Sequence, residues 1–156
     1  MEIDVPGRGR WTLRHLLLDV NGTVAEGGHL IAGVRQGLRV LREAGWQIHW
    51  ITADTRGRQA ALDEEMGWPA VRIEAGQEAA QKAAYVHQLG AEGVVTVGNG
   101  ANDAGMLQAA AVGIAVLGPE GLAVEALQAA DVLVPDIHTA LALLQDPGRL
   151  VATLRR

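Results

Sequence analysis

Leu16-Leu17-Leu18-Asp19-Val20-Asn21-Gly22-Thr23 places a carboxylate at the end of an apolar run and a glycine turn directly after it. Three leucines in a row, without polar alternation, predict a strand covered on both faces. Asp19 is expected to be presented at the end of that strand, not buried. Gly22 permits a tight turn in which backbone amides approach an anion. Taken alone, the same residues also suit an ordinary Asn-Gly turn after a core strand.

Outward from this run, short apolar stretches alternate with helical patterns. Strands are predicted over Leu13 to Val20, Trp46 to Thr52, Ala70 to Ile73, Val94 to Val97, Val112 to Val116 and Val132 to Val134. Helices are predicted over Ile31 to Ala44, Thr55 to Met66, Gln77 to Leu89, Asn102 to Ala110, Glu120 to Ala130 and Ile137 to Leu144. Gly45, Gly67 and Gly90 follow helix ends, where a left-handed cap suits glycine, while Thr55 and Asp136 are candidate N-caps. Alternation of this kind implies right-handed crossovers and a mainly parallel sheet in a three-layer α/β/α, Rossmann-like arrangement. Ligands of such sheets bind beyond the carboxyl ends of the strands.

The 156 residues are the size of one domain, 1–156, with residues 1–10 an added edge strand or a loose arm. A net charge of -5 and the lack of a long basic run argue against a nucleic-acid partner. With no cysteine there is no disulfide and no thiolate ligand or nucleophile. No run approaches 18 apolar residues, so no membrane partner is expected and a cytoplasmic location is the default. The five histidines, His15, His29, His49, His87 and His138, lack metal-ligand spacing and read as structural or surface residues. Trp46 and Trp50 share a strand face by period two, which favours core packing.

Four segments carry candidate chemistry, three of them at predicted strand ends. Besides Asp19-Val20-Asn21-Gly22-Thr23 there is Ile51-Thr52-Ala53-Asp54-Thr55, which offers hydroxyl and amide donors at a helix start, a setting that suits either phosphate or simple capping. Lys82, the only lysine in the chain, lies on the third predicted helix. Most specific is Val97-Gly98-Asn99-Gly100-Ala101-Asn102-Asp103-Ala104-Gly105-Met106-Leu107. Together and in this order they resemble the motifs of the haloacid dehalogenase (HAD) superfamily: D-x-D-G-T, a T-G-D-like element, a lysine, and the G-D-G-x-N-D hinge. The resemblance runs from about Leu13 to Val134 and is closest in style to cap-less, soluble P-type ATPase-like proteins.

The resemblance implies an Mg2+-dependent phosphohydrolase or phosphoryl transferase acting through an aspartyl-phosphate on Asp19. By the same carry-over, Gly22, Thr52, Ala53 and Lys82 hold the phosphoryl group, and Asp103 orients the lysine and the water shell of the metal. The Mg2+ ligands implied are Asp19, the backbone carbonyl of Asn21, and Asn99. Two departures stand out, since Asn21 and Asn99 occupy positions where the family has Asp. An amide cannot serve as the general acid/base, a role typically worth about a hundred- to ten-thousandfold, so turnover is expected to be slow. A neutral amide oxygen is also a poorer ligand for hard Mg2+, so the metal site is expected to be weakened. The alternative is a non-catalytic, phosphate-binding or regulatory protein of the same fold. Neither usual insertion point leaves room for a cap domain, so the mouth is expected to be open and the chain to form homo-oligomers. The partner implied is a phosphorylated small molecule or phosphate itself.

Overall fold

A computed structural model describes residues 1–53 and 57–156. In chain order its elements are β1 (Glu2–Val5), β2 (Gly9–Thr12), β3 (His15–Asp19), β4 (Ala25–Glu26), β5 (His29–Leu30), α1 (Val34–Glu43), β6 (Gln47–Thr52), α2 (Gln59–Met66), β7 (Val71–Arg72) and α3 (Glu78–Leu89). Then follow β8 (Val94–Gly98), a 3-10 turn (Ala101–Asp103), α4 (Ala104–Ala109), β9 (Val112–Val116), α5 (Val124–Ala129), β10 (Val132–Val134), α6 (Ile137–Gln145) and α7 (Pro147–Leu154).

Six strands form one parallel sheet in the order β10-β9-β8-β3-β6-β7, so all six predicted apolar runs are strands of it. Strand β3 is central, which explains its unbroken leucines. Leu16 and Leu18 face one layer with α1, α2, α6 and α7, whereas Leu17 faces the other with α3 and α4; all three are fully buried. Alternate side chains of a strand point to opposite faces, so a strand covered on both sides must be apolar at every position. Trp46 and Trp50 are buried together in the first of these layers.

Helix boundaries follow local chemistry. Gly67 and Gly90 close α2 and α3 in the left-handed conformation, with φ of 93° and 84°. Asp136 caps α6 by accepting from the Thr139 amide at 2.7 Å. The expected Thr55 cap and the first residues of the second predicted helix, along with Asp54, lie outside the described residues. Expected helix starts at Ile31 and Glu120 fall instead at Val34 and Val124, because the intervening residues form turns beside the sheet.

Residues 1–12 are not part of the main sheet and are not loose. Strands β1 and β2 make an antiparallel hairpin whose Ile3 and Val5 are buried against the core. The hairpin is tied down by the Met1 ammonium, which donates to Leu13 O at 2.6 Å, and by the Arg156 amide, which donates to Pro6 O at 3.0 Å. Helix α7 was not expected from the sequence; it starts at Pro147 behind Asp146, which accepts from the Gly148 amide, and buries Leu150 and Leu154. Between β3 and α1 there is only the small β4-β5 hairpin. Among the described residues no helix is long and apolar enough to cross a membrane.

Candidate active site

Strands β3, β6 and β8 end side by side at the carboxyl rim, and the residues that follow them meet in a pocket of roughly 220 Å³. Asp19, Asn21, Thr52, Ala53, Lys82 and Asn99 all line it. Parallel register is the cause: Asp19 pairs with Ile51, which puts Thr52 one residue beyond, and Leu18 pairs with Val97, two residues before Asn99. Residues more than thirty positions apart in sequence are thereby brought to one rim, as expected of an open parallel sheet. Gly22 adjoins the pocket at φ 80°, a backbone conformation that side chains disfavour.

At the centre is Lys82. Its side chain is 2% exposed, and the ammonium donates at 2.6 Å to both Asp19 Oδ1 and Asp103 Oδ1. It is no solvated surface lysine. Asp103 lines no part of the pocket; it is fully buried behind Lys82, and its other oxygen accepts from the Asn99 and Gly100 amides at 3.0 and 2.9 Å. One carboxylate therefore shapes the Asn99 loop and aims the lysine. Gly98 makes room for it, since a Cβ there would stand 2.6 Å from the Asp103 carboxyl group.

Asp19 departs from expectation in one respect. It reaches the pocket, but with 7% of its surface exposed it is buried and not freely presented. Burial, followed by the nearby charge of Asp103, raises its pKa, and Lys82 only partly offsets them, so that it is pushed up to about 7. Burial pulls the Lys82 ammonium the opposite way, but the two carboxylates more than reverse that and hold it above the usual lysine range. The trio is thus one carboxylate in excess of its cation, and the strain falls on the accessible member.

Asn99 is held in a single orientation. Its Nδ2 donates to Gly121 O at 3.2 Å, and its Oδ1 accepts from the buried Thr23 hydroxyl at 3.2 Å. A carbonyl only accepts, so the Gly121 contact fixes which end of the amide is which. Two further acids line the pocket, Glu78 at the start of α3 and Glu120 after β9, together with Gly100 and Asn102. Neither acid belongs to the four sequence segments. A signal for Glu120 was present all the same, because Gly118-Pro119-Glu120-Gly121 is a turn at the carboxyl end of another core strand.

The histidines hold no site on this rim. His15 and His49, with Tyr85, form a chain of hydrogen bonds in the Leu17 layer, at 3.3 and 3.0 Å. A groove of roughly 830 Å³ between α1 and Trp68, lined by Arg35, Arg39 and Arg42, contains none of the predicted site residues.

No protein-family profile matches the chain. It is 42% identical over 62 residues to an uncharacterized protein of Methanocaldococcus jannaschii, a match that covers 40% of this chain and 67% of that one. It is 40% identical over 65 residues to the phospholipid-transporting ATPase tat-1 of Caenorhabditis elegans, covering 42% of this chain but 6% of the ATPase. Among solved structures, a Legionella pneumophila protein described as a HAD superfamily (subfamily III A) hydrolase superposes with a TM-score of 0.71 at 16% identity, covering 91% of this chain and 87% of that one. The 3-deoxy-D-manno-octulosonate 8-phosphate phosphatase of Moraxella catarrhalis, solved with magnesium, phosphate and KDO, gives 0.67 at 16% identity over 92% and 94% of the two chains. A zinc-transporting PIB-type ATPase in its E2.Pi state gives 0.63 at 26% identity, over 79% of this chain and 20% of the ATPase. The chain thus has the fold of these haloacid dehalogenase superfamily structures, with Asp19, Asn21, Thr52, Lys82 and Asn99 gathered at one rim.

Proposed function

We propose that the chain is a slow phosphohydrolase or phosphoryl transferase that acts on a phosphorylated small molecule through an aspartyl-phosphate on Asp19. The observation that carries this reading is the Lys82 ammonium, which lines the pocket at 2.6 Å from Asp19 and is held from behind by the buried Asp103 at the same distance. A carboxylate so placed is a nucleophile beside a fixed positive charge, which is what phosphoryl transfer chiefly asks of a protein. Asp19 would attack phosphorus as the ester oxygen leaves, with Lys82 and the Thr52 hydroxyl against the phosphoryl oxygens. Water would then cleave the acyl phosphate, releasing phosphate and restoring Asp19. The departing oxygen needs a proton and the water must lose one, and Asn21 can serve neither step. Slow turnover follows.

The donor set suits a divalent cation. Asp19, the amide oxygen of Asn99 and the backbone carbonyl of Asn21 are all hard oxygen ligands, the kind magnesium takes. Such an ion, when bound, would neutralise phosphoryl charge next to Asp19. Asn99 puts a neutral oxygen where a carboxylate would bind such an ion more tightly, so the site is expected to be weak. Magnesium with phosphate in one structural neighbour, and cobalt in the deoxy-D-mannose-octulosonate 8-phosphate phosphatase of Haemophilus influenzae, support a divalent cation here. The competing reading, phosphate binding without catalysis or metal, is weaker. Glu78 and Glu120 line the same pocket while Lys82 is already shared by two carboxylates, so an unaccompanied phosphate would meet like charge.

A panel of phosphate esters with Mg2+ tests this. The native chain should hydrolyse at least one slowly, Asp19→Ala should abolish the activity, and Asn21→Asp with Asn99→Asp should raise it by about a hundred- to ten-thousandfold. Activity that survives Asp19→Ala would sink the assignment.

A further inference from the structure

Glu120 is held against the pocket by the same residue that weakens it. The Gly118 to Gly121 turn is closed by the Gly121 amide donating to Gly118 O at 2.9 Å. Asn99 then clasps the turn twice, its Nδ2 donating to Gly121 O at 3.2 Å and its own carbonyl accepting from the Ala123 amide at 2.9 Å. On the far side the turn abuts the first loop, where a Cβ on Gly118 would stand 3.0 Å from Gly22 O. An aspartate at position 99 would keep the backbone contact to Ala123 but have no side-chain N–H to give Gly121, so the amide supplies one of the two ties.

The space left by the missing side chain of Gly22 is bounded by the Asn99 amide and the Glu120 carboxylate. The point where a Cβ would stand is 2.9 Å from Glu120 Oε2 and 2.9 Å from Asn99 Oδ1, with Asn99 Nδ2 at 2.7 Å on its Gly121 side. Among the described residues Glu120 has no ion-pair partner, yet it shares the pocket with Asp19 and Glu78. With its lysine already engaged by Asp19, the pocket carries the charges of Glu78 and Glu120 in excess, and a cation would offset them.

We propose that Glu120 supplies the anionic oxygen that Asn99 lacks, so that a divalent cation is held on the Gly22 side of the pocket by Asp19, Asn99 and Glu120. This rests on reading the pocket as a cation-assisted phosphoryl site. It changes one consequence of that reading: the loss of negative charge at position 99 is made good from a neighbouring loop. Glutamate suits the task because its longer side chain spans from the turn after β9 to the loop after β3. The number of charged ligands sets affinity for such ions over several decades, so a single carboxylate has a measurable effect.

The test is Mn2+ binding to the full chain without phosphate, followed by the loss of the free-ion paramagnetic resonance signal. Native protein, Glu120→Gln, Asp19→Asn, and Glu120→Gln combined with Asn99→Asp are compared. Glu120 is exposed in a turn, so Glu120→Gln should melt like the native chain when no metal is added. It should nevertheless bind Mn2+ about tenfold more weakly, and the added Asn99→Asp should recover most of the loss. If Glu120→Gln binds Mn2+ as tightly as the native chain while Asp19→Asn does not, Glu120 is no ligand and the phosphoryl reading is untouched. If Asp19→Asn also binds like the native chain, the cation sits elsewhere and both readings fall.

Discussion

Helix α3 carries two polar contacts into the sheet one turn apart, and they are built differently. Lys82 reaches Asp19 and Asp103 as a buried cation between two carboxylates. Tyr85 reaches His49, which in turn meets His15, and one proton between each neighbouring pair satisfies all three as neutral groups. The first contact lies at the carboxyl rim and opens on a pocket; the second lies toward the amino ends of β3 and β6, away from that pocket. Buried charge is costly and persists where it serves chemistry, whereas a neutral chain costs little and holds the layers in register. The same helix thus joins a charged end of the sheet to a neutral one.

The largest break in this contrast should come from Lys82→Met. Removing the cation leaves Asp19 and Asp103 facing each other without compensation, the situation in which a buried pair is most destabilising, about 3–5 kcal/mol. Urea unfolding at pH 7.5 measures it, and a loss under about 1 kcal/mol would mean that the trio is not a charged cluster. Any hydrolysis should disappear as well.

Asp19→Asn should act in the other direction. In the unfolded chain Asp19 titrates at its ordinary 3.8, and in the folded chain at about 7, so the folded state holds the proton more firmly between those limits. Stability contributed by this group is therefore full below about pH 4 and lost as pH rises through 7. An asparagine does not ionise and escapes that cost. At about 1.4 kcal/mol per unit of displacement, less the weaker hydrogen bond to Lys82, the gain should be on the order of 2 kcal/mol at pH 8 and vanish near pH 4. A variant that loses catalysis yet unfolds later would place Asp19 among groups kept for function at the expense of stability.

The two ends of α3 also differ in how far they could be foreseen. Asp19 was legible from its strand end, and Lys82 and Asp103 only through the ordered motifs that resemble the haloacid dehalogenase superfamily; the parallel register brings the strand ends to one rim. That Asp19 would be buried was not legible, since it depends on the depth at which Lys82 enters. The His15, His49 and Tyr85 chain gave no signal, because its members come from two strands and a helix and meet only through the pairing of β3 with β6. Helix α7 and the β1-β2 hairpin went unseen for a related reason. Their apolar residues are few, and they bury them against each other and the core, a tertiary match that short patterns do not encode.

Smaller effects belong to the neutral end. Tyr85→Phe removes the hydroxyl that meets His49 Nδ1 at 3.0 Å and leaves that nitrogen half-buried without its partner. A cost of about 0.5–1.5 kcal/mol is expected, nearly independent of salt because no net charge is involved. Cooperative unfolding followed at low and high salt measures both properties, and a cost that shrank with salt would show that the chain carries charge after all.

The smallest effect is the most specific to this comparison. Burial and then the adjoining His15 hold the His49 pKa below its usual 6.5, and burial and then Arg14 lower that of His15. Between 6.5 and these lower folded values the unfolded chain binds more protons, so stability is present above 6.5 and lost as pH falls through the window. Over the same range Asp19 pulls oppositely, gaining stability as pH falls, so the two ends of the sheet mask each other in the native chain. In an Asp19→Asn background the histidine slope should remain, and His49→Phe added to it should reduce the dependence of the urea midpoint between pH 5 and 7 to the part that His15 contributes. If the midpoint rises on acidification in that background, the histidines are not the neutral element that their hydrogen bonds describe.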